Sequence, residues 1–385
     1  MYEILEKLAG FREEVRAFCE EKIAPHAVEV DEKQVYSSEV HQAIHSKGWW
    51  GCTVPKEYGG LGYSTTEYII IVEEISRVCG STGLTFAAHN SLGTYPITIF
   101  GTEEQRRKYL PNACKNGSLI AFGLSEPEAG SDAGGTRTKA VRDGDYYIIN
   151  GTKCWITSAE PCKVAIGTAR TSDEGGVKGI SSFILEKGME GFTVGKKENK
   201  MGCRGSNTAY LHFDDLKVHK SQLLGEEGHG FKEFMITLDG GRISIGAMAL
   251  GIAQAALELA SKYAVERKSF GKPISSHQAI QWKVADMATQ VEAARHLVYG
   301  AAYLKDHQKP MSKESAMAKL FASEVANFCT YQTIQILGAD GYSSKYPAER
   351  YYRDMKLCEI GEGTSEVQRI VIARDIFRSI SAKRK

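Results

Sequence analysis

Phe122-Gly-Leu-Ser-Glu-Pro-Glu-Ala-Gly-Ser-Asp132 is the stretch around which the remaining 374 of the 385 residues are read. It follows an apolar run, Leu119 to Phe122, and precedes a Gly- and Thr-rich segment with β character. Gly123 and Gly130 permit close backbone approach to a ligand, and Ser125 and Ser131 offer hydroxyls to an oxygen-rich group. The residues alone leave a second reading open. Ser125-x-x-Glu128 also has the spacing of a capping box, as in a surface turn that opens a helix.

Upstream, the chain reads as helical. Ile4, Leu5, Leu8, Phe11, Val15 and Phe18 recur at helical spacing. A second helical run lies between Asp31 and Val54 and is broken by Gly59-Gly-Leu-Gly62. Residues 65–78 are apolar enough for a buried helix closed by Gly80, and Thr102-Glu-Glu-Gln105 opens a helix that should stop at Pro111. Downstream the period drops toward two. Residues 146–149 run into Asn150-Gly151, a type I′ hairpin signal, with 153–157 as the return strand. Residues 164–168, 180–185 and 208–213 add short strands, which point to a small antiparallel barrel or sandwich ending near Gly225-Glu-Glu-Gly-His-Gly230. Long helices return at 243–263, 277–304 and 315–337, and Ser365-x-x-Gln368 has capping-box spacing for the last one. The expected fold is α+β and multi-domain. It comprises an N-terminal α-helical domain (1–120), a small antiparallel β-barrel (121–228) and a C-terminal four-helix bundle (229–385).

Lys and Arg number 48 against 47 Asp and Glu, so no strong field steers the chain to nucleic acid. The terminal Lys383-Arg-Lys385 reads as a solvated tail. No run of eighteen apolar residues is present, so no membrane span is expected, and the amphipathic start lacks a signal-peptide pattern. Nine scattered cysteines without a C-x-x-C pair fit a reduced, cytoplasmic protein without disulfides or zinc. No G-x-G-x-x-G or P-loop motif follows a strand, which argues against a nicotinamide or nucleotide-triphosphate site.

Five stretches together resemble the acyl-CoA dehydrogenases. They are Gly123-Leu-Ser-Glu-x-x-Ala-Gly-Ser-Asp132, Lys153-Cys-Trp-Ile-Thr157, Glu266-Arg-Lys-Ser-Phe-Gly-Lys272, Gln335-Ile-Leu-Gly-Ala-Asp-Gly-Tyr342 and Glu362-Gly-Thr-Ser-Glu-Val-Gln-Arg369. They occur in the family's order and span nearly the whole chain. The resemblance implies FAD, an acyl-CoA substrate converted to its trans-2-enoyl thioester, an electron-transferring flavoprotein as acceptor, and a homotetramer.

Such a reaction needs a base at one carbon and a hydride acceptor at the next, and a carboxylate in a dry pocket gains basicity. The matching motif places the base at Glu362, which would take the α-proton while FAD N5 accepts the β-hydride. By its local sequence, Gly361-Glu-Gly363, the same residue also fits an exposed acid near a helix start. Some relatives put the base just before the Arg of a Leu-Asp-x-x-Arg segment. Here that segment is Leu238-Asp-Gly-Gly-Arg242, and Gly241 has no carboxylate.

The resemblance further implies that Phe122, Leu124, Ser125, Gly130 and Ser131 contact the cofactor, with Trp155 against the flavin ring and Thr157 near its reactive nitrogen. Arg267, Ser269, Phe270 and Gln278 match residues that hold the pyrophosphate and adenosine half. Gln335, Gly338 and Ala339 do likewise across a subunit interface, and Thr364 and Glu366 complete the set. For the substrate, Ser131, Leu238, Asp239 and Arg242 match positions that bind the CoA moiety, and Gly361 and Gly363 flank the base. The thioester carbonyl would be polarised by a flavin hydroxyl and the Glu362 backbone N–H.

Two departures concern the acyl group. Gly361 stands where many short- and medium-chain relatives have Tyr, which widens the pocket toward branched, cyclic or aromatic groups. Gly83 stands where glutaryl-specific relatives carry Arg, which disfavours a dicarboxylyl substrate. Ala339 replaces a usual Gly, and Lys345 replaces an acid. The competing readings are an oxidase, an enoyl-CoA reductase using the same site in reverse, and a non-catalytic nucleic-acid-binding relative, which the charge balance and Glu362 disfavour.

Overall fold

The computed structural model describes residues 2–173 and 176–382. The basic tail lies outside the described residues, as do the side chains of Ile4 and Leu5. The N-terminal part holds α1 (Tyr2–Lys7), α2 (Ala9–Lys22), α3 (Ala27–Glu32), α4 (Ser38–Ser46), α5 (Thr65–Val78), α6 (Gly80–Ala88), α7 (Tyr95–Phe100) and α8 (Glu103–Asn116). Val15, Phe18 and Cys19 form the buried stripe of α2. Ser64 and Glu67 close a reciprocal capping box at the start of α5, which is buried almost along its length. Helix α8 does not stop at Pro111 but runs on to Asn116. The proline forfeits one backbone bond, while Leu110, Ala113 and Cys114 stay buried around it and hold the last turns.

The sheet comprises β1 (Ile120–Gly123), β2 (Lys139–Asp143), β3 (Tyr146–Thr157), β4 (Val164–Arg170), β5 (Ile180–Glu186), β6 (Phe192–Val194), β7 (Thr208–His219) and β8 (Leu223–Leu224). Its order is β6-β7-β3-β2-β4-β5-β8, with β1 added against β4. The sheet is mixed rather than antiparallel throughout. β1 and β2 both meet β4 in parallel, because the chain enters β1 from α8 and crosses over before β4. Asn150-Gly151 is not the hairpin turn. The β2–β3 turn is at Gly144-Asp145, and β3 runs through Asn150-Gly151 with a register shift opposite β7. Glycine is needed there for close approach: a Cβ on Gly151 would lie 2.5 Å from Thr138 Oγ1, and its φ is +151°. Asn150 bridges to Asp215 on β7, accepting from its N–H at 2.8 Å.

The C-terminal part begins with α9 (Gly230–Glu266). Next come the short β9 (Lys268–Ser269) and β10 (Lys272–Pro273). The remaining helices are α10 (Gln278–Asp306), α11 (Ser312–Leu337), α12 (Ala339–Tyr342), α13 (Ala348–Ile360) and α14 (Ser365–Ala382). α9 is the central rod and packs chiefly on α11, α5 and α10. Gly251 lets α5 approach it closely, since a Cβ there would lie 2.2 Å from Glu73 O. By length and apolarity alone α9 could cross a bilayer, but 78% of its most apolar window is buried inside the protein. It is a core helix. One hydrophobic cluster joins the two helical parts, a second lies within the sheet, and a third sews β1, β4 and β5 to α8 and α9 through Tyr109, Leu110, Ile120, Ile166 and Phe234. That third cluster sets the first signature loop beside α9.

Candidate active site

Between α13 and α14 the chain turns in three residues. Gly361 is extended, Glu362 takes a left-handed φ of +55°, and Gly363 has φ +97°. A non-glycine residue held this way is strained by roughly 1–3 kcal/mol, which surrounding contacts must offset. Gln368 supplies one of them, with Nε2 donating to Gly363 O at 2.8 Å. Lys319, from α11, donates to the same carbonyl at 2.7 Å and to Cys358 O at 2.9 Å. The cap of α14 is Thr364, whose Oγ1 accepts from Val367 N at 3.3 Å. The capping-box spacing Ser365-x-x-Gln368 is therefore one residue out of register, because Gln368 is spent on the Glu362 loop.

The loop aims Glu362 at α9. A Cβ on Gly241 would lie 2.0 Å from Glu362 Oε2 and 2.9 Å from Leu92 Cδ2, so the carboxylate occupies the space that a side chain at 241 would need. Oε2 is buried and has no hydrogen-bond partner among the described residues. Burial pushes Glu362 up to about 7, against the opposing pull of Lys319 and Arg242. Arg242 pairs with Asp239 one turn away, and Ser312 Oγ donates to Asp239 Oδ1 at 3.0 Å. Burial lowers Arg242 and raises Asp239 from their ordinary values. Leu92 belongs to a π-helical stretch, His89–Thr94, that the sequence reading missed. That stretch abuts β1: Ile120 N donates to His89 Nδ1 at 3.1 Å, and a Cβ on Gly93 would lie 2.6 Å from Ile120 O.

Phe122 stacks on Phe234 of α9 with centroids 4.1 Å apart, one turn before Leu238. The following loop is anchored from beneath by Lys153, whose side chain is fully buried. Its Nζ donates to Glu126 Oε1 at 2.7 Å, Thr168 Oγ1 at 2.9 Å and Leu124 O at 3.3 Å. Glu126 in turn accepts from Arg137 N at 2.6 Å and Thr138 N at 3.1 Å. Burial drives Lys153 down to about 8 despite this partner. Residues 126–129 close a tight turn rather than open a helix, with Ala129 N donating to Glu126 O at 3.0 Å.

Trp155 projects from a register shift in β3 with φ +60°, and 59% of it is exposed. Beside it, Ser125 and Thr157 are half-buried, and their hydroxyls have no partner among the described residues. An exposed indole on strained backbone next to unspent hydroxyls fits a planar flavin with polar ring edges. Gly130 and Ser131 lie exposed at the loop's outer end. Thr364 is half-buried and Glu366 exposed at the first turn of α14.

The remaining expected cofactor residues form a second group. Arg267 follows α9, 26 residues beyond Gly241. At 1.5 Å per residue this places it about 39 Å along the helix from Gly241, over which Glu362 lies. Ser269 and Phe270 sit on the β9–β10 hairpin, Gln278 opens α10, and Gln335, Gly338 and Ala339 end α11. Tyr263 OH donates to Asp340 Oδ2 at 3.1 Å, tying the α11 end to the α9 end. Phe270 is 92% exposed with φ +51°, and Arg267, Gln278, Gln335, Gly338 and Ala339 are exposed too. One chain does not bring this group to Glu362. Lys345 is explained by its neighbour: it donates to Asp340 Oδ1 at 3.2 Å, a surface pair that contributes little.

Sequence reasoning missed Lys319, Leu92 and the Lys153–Glu126 pair. A lone Lys in the Ala-rich run Ser315-Ala-Met-Ala-Lys-Leu-Phe-Ala322 was the available signal for Lys319.

Three family models match in succession: the acyl-CoA dehydrogenase N-terminal domain over residues 6–117, middle domain over 121–216 and C-terminal domain over 228–377. Among similar proteins, the acryloyl-CoA reductase (NADH) of Anaerotignum propionicum is 47% identical, over 98% of this chain and 94% of its own. The butyryl-CoA dehydrogenase of Megasphaera elsdenii has a solved structure that superposes with a TM-score of 0.94 at 44% identity, covering 96% of this chain and 97% of that one. A chain solved in work on the electron transferring flavoprotein of Acidaminococcus fermentans and flavin-based electron bifurcation superposes with a TM-score of 0.95 at 48% identity. It covers 97% of this chain and 98% of that one.

Proposed function

The chain belongs to the acyl-CoA dehydrogenase family of flavoprotein oxidoreductases, and we propose that it uses FAD to convert a short acyl-CoA to its trans-2-enoyl thioester. The observation that supports this reading most directly is the Glu362 carboxylate, buried over Gly241 with a partnerless Oε2 and a pKa near neutrality. A general base works best when its pKa lies near the working pH. A neutral thioester can enter and stack on the flavin without paying to strip a hydrogen bond from Oε2.

In this reading Glu362 takes the α-proton and holds it at Oε2. Its backbone N–H, in the left-handed turn, is the donor assigned to the thioester carbonyl. Trp155, Ser125 and Thr157 orient the flavin, and the Lys153–Glu126 pair keeps their loop rigid. The flavin, when bound, supplies the acceptor for the β-hydrogen. Asp239, Arg242 and Ser131 hold the CoA portion. Arg267, Ser269, Phe270, Gln278, Gln335, Gly338 and Ala339 serve the adenosine half in a neighbouring copy of a tetramer, which their exposure and distance from Glu362 permit. The electron acceptor is an electron-transferring flavoprotein, a reading supported by the Acidaminococcus similarity. Nine buried thiols suit a reducing cytoplasm.

The acyl pocket is read from two glycines. A Cβ at Gly361 would meet Leu357 O at 3.4 Å, so a larger residue would fit there and its absence leaves space beside the base. A Cβ at Gly83 would lie 2.1 Å from Ser76 Oγ, which leaves no room for a carboxylate-binding Arg.

A second reading, reduction of an enoyl-CoA, is favoured by the similarity to the acryloyl-CoA reductase. Glu362 near pH 7 could return a proton as readily as remove one. Anaerobic titration of the purified protein with butyryl, isobutyryl, octanoyl, cyclohexanecarboxyl and phenylpropionyl thioesters tests the proposal. Bleaching of the flavin by a short or branched member supports it, and reoxidation of the reduced protein by enoyl-CoA alone, with no bleaching by any acyl-CoA, supports the second reading. Failure to bind FAD refutes both.

A further inference from the structure

Helix α11 packs on α9, α13 and α14 and buries a run of small residues, among them Ser315, Ala316, Ala318, Ala322 and Ser323. Lys319 lies in its midst with no exposed surface. Among the described residues it has no carboxylate in ion-pair contact. Its ammonium instead donates to two main-chain carbonyls, Cys358 O in the last turn of α13 and Gly363 O just after the base. An isolated buried cation is an unfavourable way to satisfy two carbonyls, one of which Gln368 already satisfies. Its charge therefore has a second use.

We infer that Lys319 is a positioning residue for Glu362: it clamps the loop on both sides of the base and brings to the carboxylate a positive charge that is in no ion pair among the described residues. This rests on the assignment of Glu362 as the base. The groups that face Glu362 are Tyr68 from α5, Arg242 from α9, Lys319 from α11 and Cys358 from α13. Arg242 is balanced by Asp239, and Glu359, the nearest acid on α13, is engaged by Lys356 and Asn327. Among the described residues, Lys319 is the cation left to favour the ionised form. Burial lowers it to about 8, so it still carries its charge at neutral pH.

The test is the pH dependence of anaerobic flavin reduction by butyryl-CoA in Lys319→Met, Lys319→Gln and Lys319→Arg, beside Glu362→Gln. Removing an opposite charge that acts on a buried carboxylate shifts it by about one unit or more. Met and Gln should move the acidic limb of the rate profile upward by about one pH unit and slow the reaction at pH 6 about tenfold, with KM little changed. Arg should restore the limb. An unmoved limb in Met or Gln overturns the inference. If neither retains flavin, Lys319→Arg decides: a wild-type limb upholds the inference and a displaced one overturns it. The underlying assignment fails separately, as a Glu362→Gln protein that still reduces its flavin.

Discussion

Gly241→Ala would set a methyl group against the Glu362 carboxylate. The added Cβ lies 2.0 Å from Glu362 Oε2 and 3.0 Å from its Cδ. Ordinary contact begins near 3.4 Å, so the carboxylate must retreat by about 1.4 Å or the helix must shift. Misplacing a catalytic group by about 1 Å costs about 10²-fold in rate. That is about 2.7 kcal/mol of transition-state stabilisation. Alanine gains about 1 kcal/mol over glycine in a helix interior, which offsets part of the crowding, so the variant should fold and keep its flavin. Gly240→Ala is the control. Its Cβ meets only the tip of Lys305, at 2.6 Å, a flexible end that yields. The assay is single-turnover bleaching of bound flavin by butyryl-CoA. A Gly241→Ala protein with full flavin and a rate within threefold of wild type would refute the placement of Glu362 over Gly241.

Glu362 also links pH to stability. Its folded value of about 7 lies above the usual 4.5, so the native state holds the extra proton between those values and stability falls as pH rises through that window. Glu362→Gln removes this burden and should stabilise the protein by about 3 kcal/mol at pH 8 and by little at pH 4, read from denaturant midpoints; equal shifts at both would contradict it. Lys153→Met strands Glu126 as an unpaired buried carboxylate, at a cost of roughly 3–5 kcal/mol. The signature loop should loosen and flavin dissociate at least tenfold more readily; unchanged flavin affinity would count against the anchoring role. Gly361→Tyr, at an extended backbone that accepts any residue, should narrow the acyl range toward straight chains, and an unaltered substrate panel would sink the pocket reading.

Much of this arrangement was legible because its signals are local. Helical periodicity marked α5, α9, α10 and α11, and the five motifs marked Glu362, Trp155 and the signature loop. Local rules failed where a distant partner decides the outcome. Asn150-Gly151 has ideal turn chemistry, yet Thr138 and β7 hold it inside a strand. Pro111 should end a helix, yet burial around it carries α8 onward. Lys319 and Lys153 act through contacts 44 and 27 residues away, a separation that no periodicity encodes. The separation of the Arg267 group from Glu362 follows from the length of α9, which becomes visible only when the helix is seen unbroken.

The central claim is that Glu362 removes the proton. It is tested most directly by anaerobic stopped-flow mixing of butyryl-CoA with flavin-loaded wild-type and Glu362→Gln proteins. The account predicts that the variant binds the thioester, with a perturbed flavin spectrum, yet bleaches slower by at least about 10³-fold, within the range attributed to a positioned general base. Bleaching at a near wild-type rate would contradict it.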